Sequence, residues 1–330
     1  MDQLSNSVSQ SRRRFLGGAC SAVGLLPAGL KAQSNPNTPP SPTGTGDVAA
    51  QSDRNRHLTV EVRINDTRPF QFVVDTGADR TVIADDVAKA AGLVTQGDVD
   101  VEGIIKTMPA RTAAIERLSV GSLVRTEMDV AVLPREVLCA DGYLGLDALD
   151  TYRVTFDFAK AEMRVEEPQP DYSFNLPQPN VAHVSMYGPR GHLRSVNCSV
   201  NGVSATALID SGAEVSMGNR QLLHAINDKI PVDYKPIDVP LTGVTGGLIQ
   251  GKMVPIEKIA LSRVWFGKSD IVIADLQIFD AWGLSEKPAL LIGMNFLRIF
   301  ARVSIDYGRK DVRFELAEQI ASQPSSSAAS

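Results

Sequence analysis

Beyond residue 57 the chain alternates apolar and polar positions with a period of two, the signature of half-buried β-strands. The stretch HLTVEVRI from His57 predicts one strand, Asn65-Asp66 a turn, and the run into Val73-Val74 a second strand ending at Asp75, followed by a short helix-like segment. The same order returns from His192. There Asn201-Gly202 is a strong two-residue hairpin signal, and the next strand runs through Leu208-Ile209 to Asp210. Further on, the segments 142–150 and 290–298 each give an apolar strand, a glycine and one helical turn, and each leads into an alternating terminal hairpin, RVTFDFAKAEMRVEE or ARVSIDYGRKDVRFEL. Asp75 precedes Gly145 by 70 residues and Asp210 precedes Gly293 by 83, so one unit occurs twice with a longer loop in its second copy. Long helical periodicity is absent. The pattern therefore predicts a mainly β protein of two small barrel lobes related by a pseudo-twofold axis.

The expected lobes span 54–167 and 181–316, joined by a Pro-rich linker at 168–180. Residues 33–53, a Pro/Ser/Thr/Gly mixture, are expected to form a flexible linker, and 317–330 a disordered tail. Residues 1–32 have the three-part order of a signal peptide, with Ser11-Arg12-Arg13-Arg14-Phe15-Leu16 ahead of a weakly apolar Gly/Ala-rich stretch and then Lys31-Ala32. The twin arginines and the basic Lys31 favour a twin-arginine-type export signal and a periplasmic or otherwise exported protein. Cys20 lacks the surroundings of a lipidation site.

Charge narrows the partners. The formal net charge of −5 becomes −8 once residues 1–32, with four Lys/Arg and one acid, are removed. No basic run lies outside the N-terminus, which argues against nucleic acid. No apolar run approaches the ~20 residues of a membrane span. His57, His183, His192 and His224 form no close zinc pattern, no Gly-x-Ser-x-Gly elbow occurs, and Cys139 and Cys198 lack the setting of a nucleophile, so neither metal nor cofactor is expected. Two unpaired buried thiols are expected at Cys139 and Cys198, with a bridge between the halves as the alternative.

The candidate chemistry lies in Asp75-Thr76-Gly77 and Asp210-Ser211-Gly212, each at the end of an apolar strand. Hydrolysing a peptide bond needs a base for water and an acid for the amide. Two carboxyls held close together share one proton and supply both. Thr76 and Ser211 offer hydroxyls, while Gly77 and Gly212 let backbone amides approach the carboxyls.

Together with Ala78-Asp79, Thr81-Val82-Ile83, and the motifs Tyr143-Leu144-Gly145 and Leu291-Ile292-Gly293, these triplets resemble the retropepsin-like aspartic protease family, over roughly residues 57–165 and 183–316. The likeness is closest to bacterial exported members with tandem units. It implies two retropepsin-like lobes, catalytic Asp75 and Asp210, and cross-linking of the active-site loops by Thr76 and Ser211. It also implies a polypeptide substrate, and a site complete in a monomer. Asp79 takes the place where retroviral enzymes bind the substrate main chain, and Glu214 is its counterpart. Glycine-bearing flap tips are expected at Gly103-Ile104-Ile105 and, as the better candidate, at Gly243–Gly247 with Gly246. Two departures stand out. Leu146 and Met294 occupy the place of the arginine that often braces the Asp79-type acid, and Ala78 and Ala213 replace the hydroxyl residues of pepsin-type enzymes. Loss of those hydroxyls is expected to raise the apparent pKa values of the pair. A non-catalytic peptide-binding or dimerisation module of the same fold is the alternative.

Overall fold

A computed structural model describes residues 46–52, 58–121, 123–167, 180–188 and 194–317. The chain is mainly β and forms two lobes of like topology. In the first, Leu58–Ile64 pairs antiparallel with Phe70–Val74. Val60, Val62 and Ile64 are buried and Glu61 and Arg63 exposed, as the period of two requires. Phe70–Val74 then pairs in parallel with Gly142–Leu144, which is antiparallel to Val82–Ala84. The strand that enters the Asp75 loop and the strand that leaves it thus flank a third strand from some 70 residues later. The second lobe repeats this arrangement. Arg194–Val200 pairs with Val203–Ile209 through Asn201 (φ 49°) and Gly202 (φ 79°), the two left-handed residues that a two-residue hairpin demands. Val203–Ile209 runs parallel to Ala289–Ile292, which lies antiparallel to Met217–Gly218.

Each lobe covers the free edge of its first strand with the same part of the repeat. In lobe 1 the long strand Thr107–Val120 bends back to cover the free edge of Leu58–Ile64. In lobe 2 a separate hairpin, Ile259–Leu261 and Val264–Phe266, covers the matching edge of Arg194–Val200. Both devices satisfy backbone groups that an open edge would leave unpaired.

The terminal hairpins of the two lobes join in one six-stranded antiparallel sheet, in the order Gly46–Ser52, Glu162–Glu166, Arg153–Asp157, Arg302–Asp306, Asp311–Glu315, Val181–Ser185. At its centre Thr155 faces Ser304 and their hydroxyls are 2.9 Å apart. On either side Arg153 bonds Asp306 (3.0 Å) and Arg302 bonds Asp157 (2.9 Å), as a twofold axis through the Thr155–Ser304 pair dictates. The outermost strand Gly46–Ser52 corrects one expectation. It falls inside the stretch read as a flexible linker, yet its backbone pairs with both Glu162–Glu166 and Leu58–Ile64. Low side-chain hydrophobicity misled there, because an edge strand is held by backbone hydrogen bonds and needs little apolar surface of its own.

Residues 1–32, the linker segment 168–179, the tail from 318, Cys20, His57 and His192 lie outside the described residues. His183 bonds Asp311 within the interlobe sheet. Cys139 and Cys198 do not bridge; Cys139 is exposed rather than buried, and burial pushes the Cys198 thiol up to about 12. No helix among the described residues is long and apolar enough to cross a membrane.

The two cross-lobe ion pairs differ in depth, since Asp306 is fully buried beside a buried Arg153 whereas Arg302 is 38% exposed. Arg153→Leu strands a buried carboxylate and should destabilise by about 3–5 kcal/mol. Arg302→Leu also strands a buried carboxylate, Asp157, but at a place that water reaches once the half-exposed guanidinium is gone, so it should lose less. Urea denaturation of both variants tests the contrast, and equal losses would contradict it.

Candidate active site

Asp75 and Asp210 sit at the two points where the lobes' central strands reach the pseudo-twofold axis. Each backbone N–H is fixed by the neighbouring parallel strand, Asp75 to the Leu144 carbonyl and Asp210 to the Ile292 carbonyl, both at 3.0 Å. Beside them the loops are tied reciprocally. Thr76 N–H donates to Ser211 Oγ (3.1 Å) and Ser211 N–H donates to Thr76 Oγ1 (2.9 Å). The Ser211 hydroxyl donates to the Val74 carbonyl (2.7 Å) and the Thr76 hydroxyl to the Ile209 carbonyl (3.3 Å). Each hydroxyl therefore accepts from one lobe's triplet and donates to that lobe's strand.

The carboxyls accept from local amides, Asp75 Oδ1 from Gly77 (2.9 Å) and Ala78 (3.1 Å), Asp210 Oδ1 from Gly212 (2.8 Å). The glycines also face across the axis. A Cβ at Gly77 would lie 2.7 Å from the Asp210 carboxyl carbon, and one at Gly212 would lie 2.5 Å from that of Asp75. Any side chain at either place would push the carboxyls apart. As it is, they are buried and hydrogen-bonded to each other, and burial first, then the charge of Asp75, holds Asp210 well above the usual carboxylate range.

A second layer, not singled out in the sequence, fixes these loops. Asp147 Oδ1 accepts from the Thr81 hydroxyl (2.6 Å) and N–H (2.9 Å), and Thr81 Oγ1 accepts from Gly145 N–H (3.1 Å). Asn295, Ser216 and Gly293 repeat the triad at 2.8, 2.9 and 2.9 Å. The backbone N–H groups of Asp147 and Asn295 also donate to the main-chain carbonyls of Asp79 and Glu214, at 3.2 and 3.1 Å. These bonds fix the main chain at Asp79 and Glu214, where Leu146 and Met294 bring no arginine to the acids. The signal was available in the repeat alignment, where Asp147 and Asn295 both fall two residues after the motif glycine. Asp79 and Glu214 are exposed, and Asp79 borders a depression of about 680 Å³ that also contains Arg80, Glu127 and Asp129.

Each lobe carries one of the two candidate tips, one between Thr95–Glu102 and Thr107–Val120, the other between Ile237–Thr242 and Leu248–Ile256. They interlock. Thr245, though at a turn, is fully buried, donates its hydroxyl to the Lys106 carbonyl (2.7 Å), and sits so close to Gly103 that a Cβ there would collide with it. Ile104 and Ile105 pack against the second lobe's apolar cluster around Leu241 and Phe279, Gly243 lies against both isoleucines, and Gly247 lies against Ile105. Gly246 has φ 79°, the left-handed conformation its turn needs, and packs on Lys106. Both candidate tips thus meet, and Thr245 is the contact residue that sequence reasoning missed.

Burial holds the Asp147 carboxyl above its ordinary range, with the Thr81 bonds opposing this. A folded-state pKa above the unfolded one means that stability falls as pH rises through that interval. Asp147→Asn, which copies Asn295, should keep the Thr81 bonds and match or exceed the parent by up to about 1 kcal/mol at neutral pH, with the gain vanishing toward pH ~4. Asp147→Ala, leaving Thr81 unpaired, should lose about 1–3 kcal/mol. Thermal unfolding across pH decides, and an Asn variant as weak as the Ala variant would refute the isosteric role.

No curated protein matches the chain. The family model described as aspartyl protease matches twice, over residues 60–148 and 196–296, once in each lobe and each time across one Asp-(Thr/Ser)-Gly loop and one motif glycine. With more than half of its length matched, and with two lobes of the same β topology, the chain belongs to the retropepsin-like aspartyl protease family.

Proposed function

We propose that the protein is an aspartic endopeptidase in which Asp75 and Asp210 activate one water. The observation that carries this reading is the hydrogen-bonded carboxyl pair, each member walled by the other lobe's glycine. Two carboxyls in such contact ionise as a unit, and the pair holds a single proton over a wide pH interval. With Asp210 carrying the shared proton, Asp75 acts as the base, and both ionisations belong to the pair. Asp75 takes a proton from water as the water oxygen bonds the scissile carbonyl carbon, and the Asp210 proton passes to the carbonyl oxygen. Collapse of the resulting diol breaks the C–N bond. The amine leaves with the proton held by Asp75, and Asp210 regains the hydroxyl proton.

The interlocked tips, as flaps, must part to admit a polypeptide, which then lies between Ile104, Gly103, Gly243 and Gly246 above and the pair below, its main chain reaching Asp79 and Glu214. Export by the twin-arginine route, supported by residues 11–32, makes exported or envelope proteins the substrate class. Both halves of the site belong to one chain, which supports a functional monomer.

Asp75→Asn and Asp210→Asn should each reduce cleavage of a denatured protein by at least about 1,000-fold while remaining folded. A parent that binds peptides without cleaving them would favour a binding module instead, and mutants as active as the parent would end the assignment. Ala78 and Ala213 bring no hydroxyl to the pair, so activity should peak in mildly acidic to neutral buffer, and Ala78→Thr or Ala213→Thr should move the acid limb downward. A strongly acid optimum, unmoved by either change, would count against the proton assignment.

A further inference from the structure

Each hairpin tip is closed on itself by one backbone bond, Gly103 N–H to the Lys106 carbonyl (3.1 Å) and Gly246 N–H to the Gly243 carbonyl (2.8 Å). Counted from the first glycine of each tip, Thr245 stands where the other tip has Ile105. Its side chain is fully buried although Gly247 and Leu248 close by are exposed. What buries it is the other lobe. The Thr245 hydroxyl donates to the Lys106 carbonyl (2.7 Å), and a Cβ at Gly103 would collide with the same side chain. A second bond between the lobes, from Gln277 Nε2 to Thr107 Oγ1 (2.8 Å), lies at the surface.

Apolar contact docks the first tip as well. Ile104 and Ile105 pack against a lobe 2 cluster that includes Leu208 and Ala213, which flank the Asp210-Ser211-Gly212 triplet. The docked tip therefore stands on the apolar wall of the Asp210 loop. Parting the tips would return both isoleucines to water, which opposes opening. Thr245 contributes differently. Its hydroxyl is dry and bonded while the tips meet and hydrated once they part, so it adds only the modest net gain of one hydrogen bond. The Lys106 carbonyl also accepts from Gly103 N–H, so losing the threonine hydroxyl would leave no carbonyl unpaired. Such a contact holds the tips together and still lets them separate.

We propose that this contact is an autoinhibitory latch: in the substrate-free chain the Thr245–Lys106 bond keeps the first tip docked on lobe 2, and a peptide enters only while that bond is broken. The inference rests on the reading of the tips as flaps that part for a polypeptide. It adds that the shut form is the resting state and that Thr245 sets its stability. Peptide entry and amide exchange at the tip then need the same opening, and both rates scale with the open fraction.

Two measurements on the intact chain test this together: hydrogen exchange read at residues 103–107, and stopped-flow association of pepstatin, a statine peptide that binds without being cleaved. Thr245→Val removes the hydroxyl and keeps the shape. It should speed exchange at the tip roughly 3- to 10-fold and pepstatin association by the same factor. Gln277→Ala, which loses only the surface bond, should change either rate by no more than about twofold. Gly103→Ala drives a methyl group into Thr245 and should release the tip sterically. Adding Thr245→Val to it should then bring little more, because both changes break one contact. Exchange left unchanged by Thr245→Val, faster exchange without faster association, or full additivity of the two changes overturns the proposal. If no form of the chain binds pepstatin, the peptidase reading loses its support, and exchange at 103–107 alone decides whether the tips are latched.

Discussion

Holding two carboxyl groups in hydrogen-bond contact within a water-poor interior works against their desolvation and, once one is ionised, against the ionisation of the other. Neither lobe can hold that arrangement alone. Gly77 of one lobe sets the space for Asp210 of the other, Gly212 does the same for Asp75, and the Thr76–Ser211 cross-bonds fix the separation of the loops. The site is therefore a property of the lobe–lobe contact, and most of the remaining architecture constrains that contact. Below it the interlobe sheet sets register through Thr155–Ser304 and the flanking Arg–Asp pairs. A further contact between the lobes is made by the hairpin tips, which meet through Thr245, Gly103 and Lys106.

The register of the interlobe sheet is specified twice over. A slip of one residue would turn Val154, Phe156, Val303 and Ile305 away from the core and carry Arg153 and Asp306 into it. The buried Arg153–Asp306 pair adds a penalty that falls on every wrong register, since it leaves a buried charge uncompensated. That use of a buried ion pair, as a selector of alignment, suits a site whose geometry depends on two lobes meeting at one place.

The repeat, the strands, the two Asp-containing loops and the motif glycines were legible because each leaves a local pattern: alternation, an Asn-Gly turn, an apolar run ending in Asp. What escaped is non-local. The pairing of Arg153–Asp157 with Arg302–Asp306 joins segments about 150 residues apart, and nothing in either hairpin announces its partner, although the shared Arg-Val-(Thr/Ser)-x-Asp string becomes self-explanatory once the axis is known. Gly46–Ser52 was misread because composition reports apolar burial and is blind to backbone pairing at an edge. Asp147 and Asn295 lie in the helical turn after each motif glycine, and only the approach of Thr81 and Ser216 gives them work. Thr245 stood inside a correctly placed turn, yet its burial depends on the other lobe's tip.

Covalent duplication also changes what the pair can become. Two identical chains around a true twofold axis would present two identical carboxyls, and the proton would be placed by substrate alone. Here the axis is approximate, and the two copies differ in charge and polarity: Asp147 carries a titratable carboxyl where Asn295 has an amide, and Tyr307 carries a hydroxyl where Phe158 has none. Each difference is electrostatic and nearly isosteric, and the Thr76–Ser211 cross-bonds and the glycine contacts are intact beside it. Duplication within one chain thus allows the geometry to stay symmetric where symmetry sets distance, while single positions of either copy are free to change in charge and polarity.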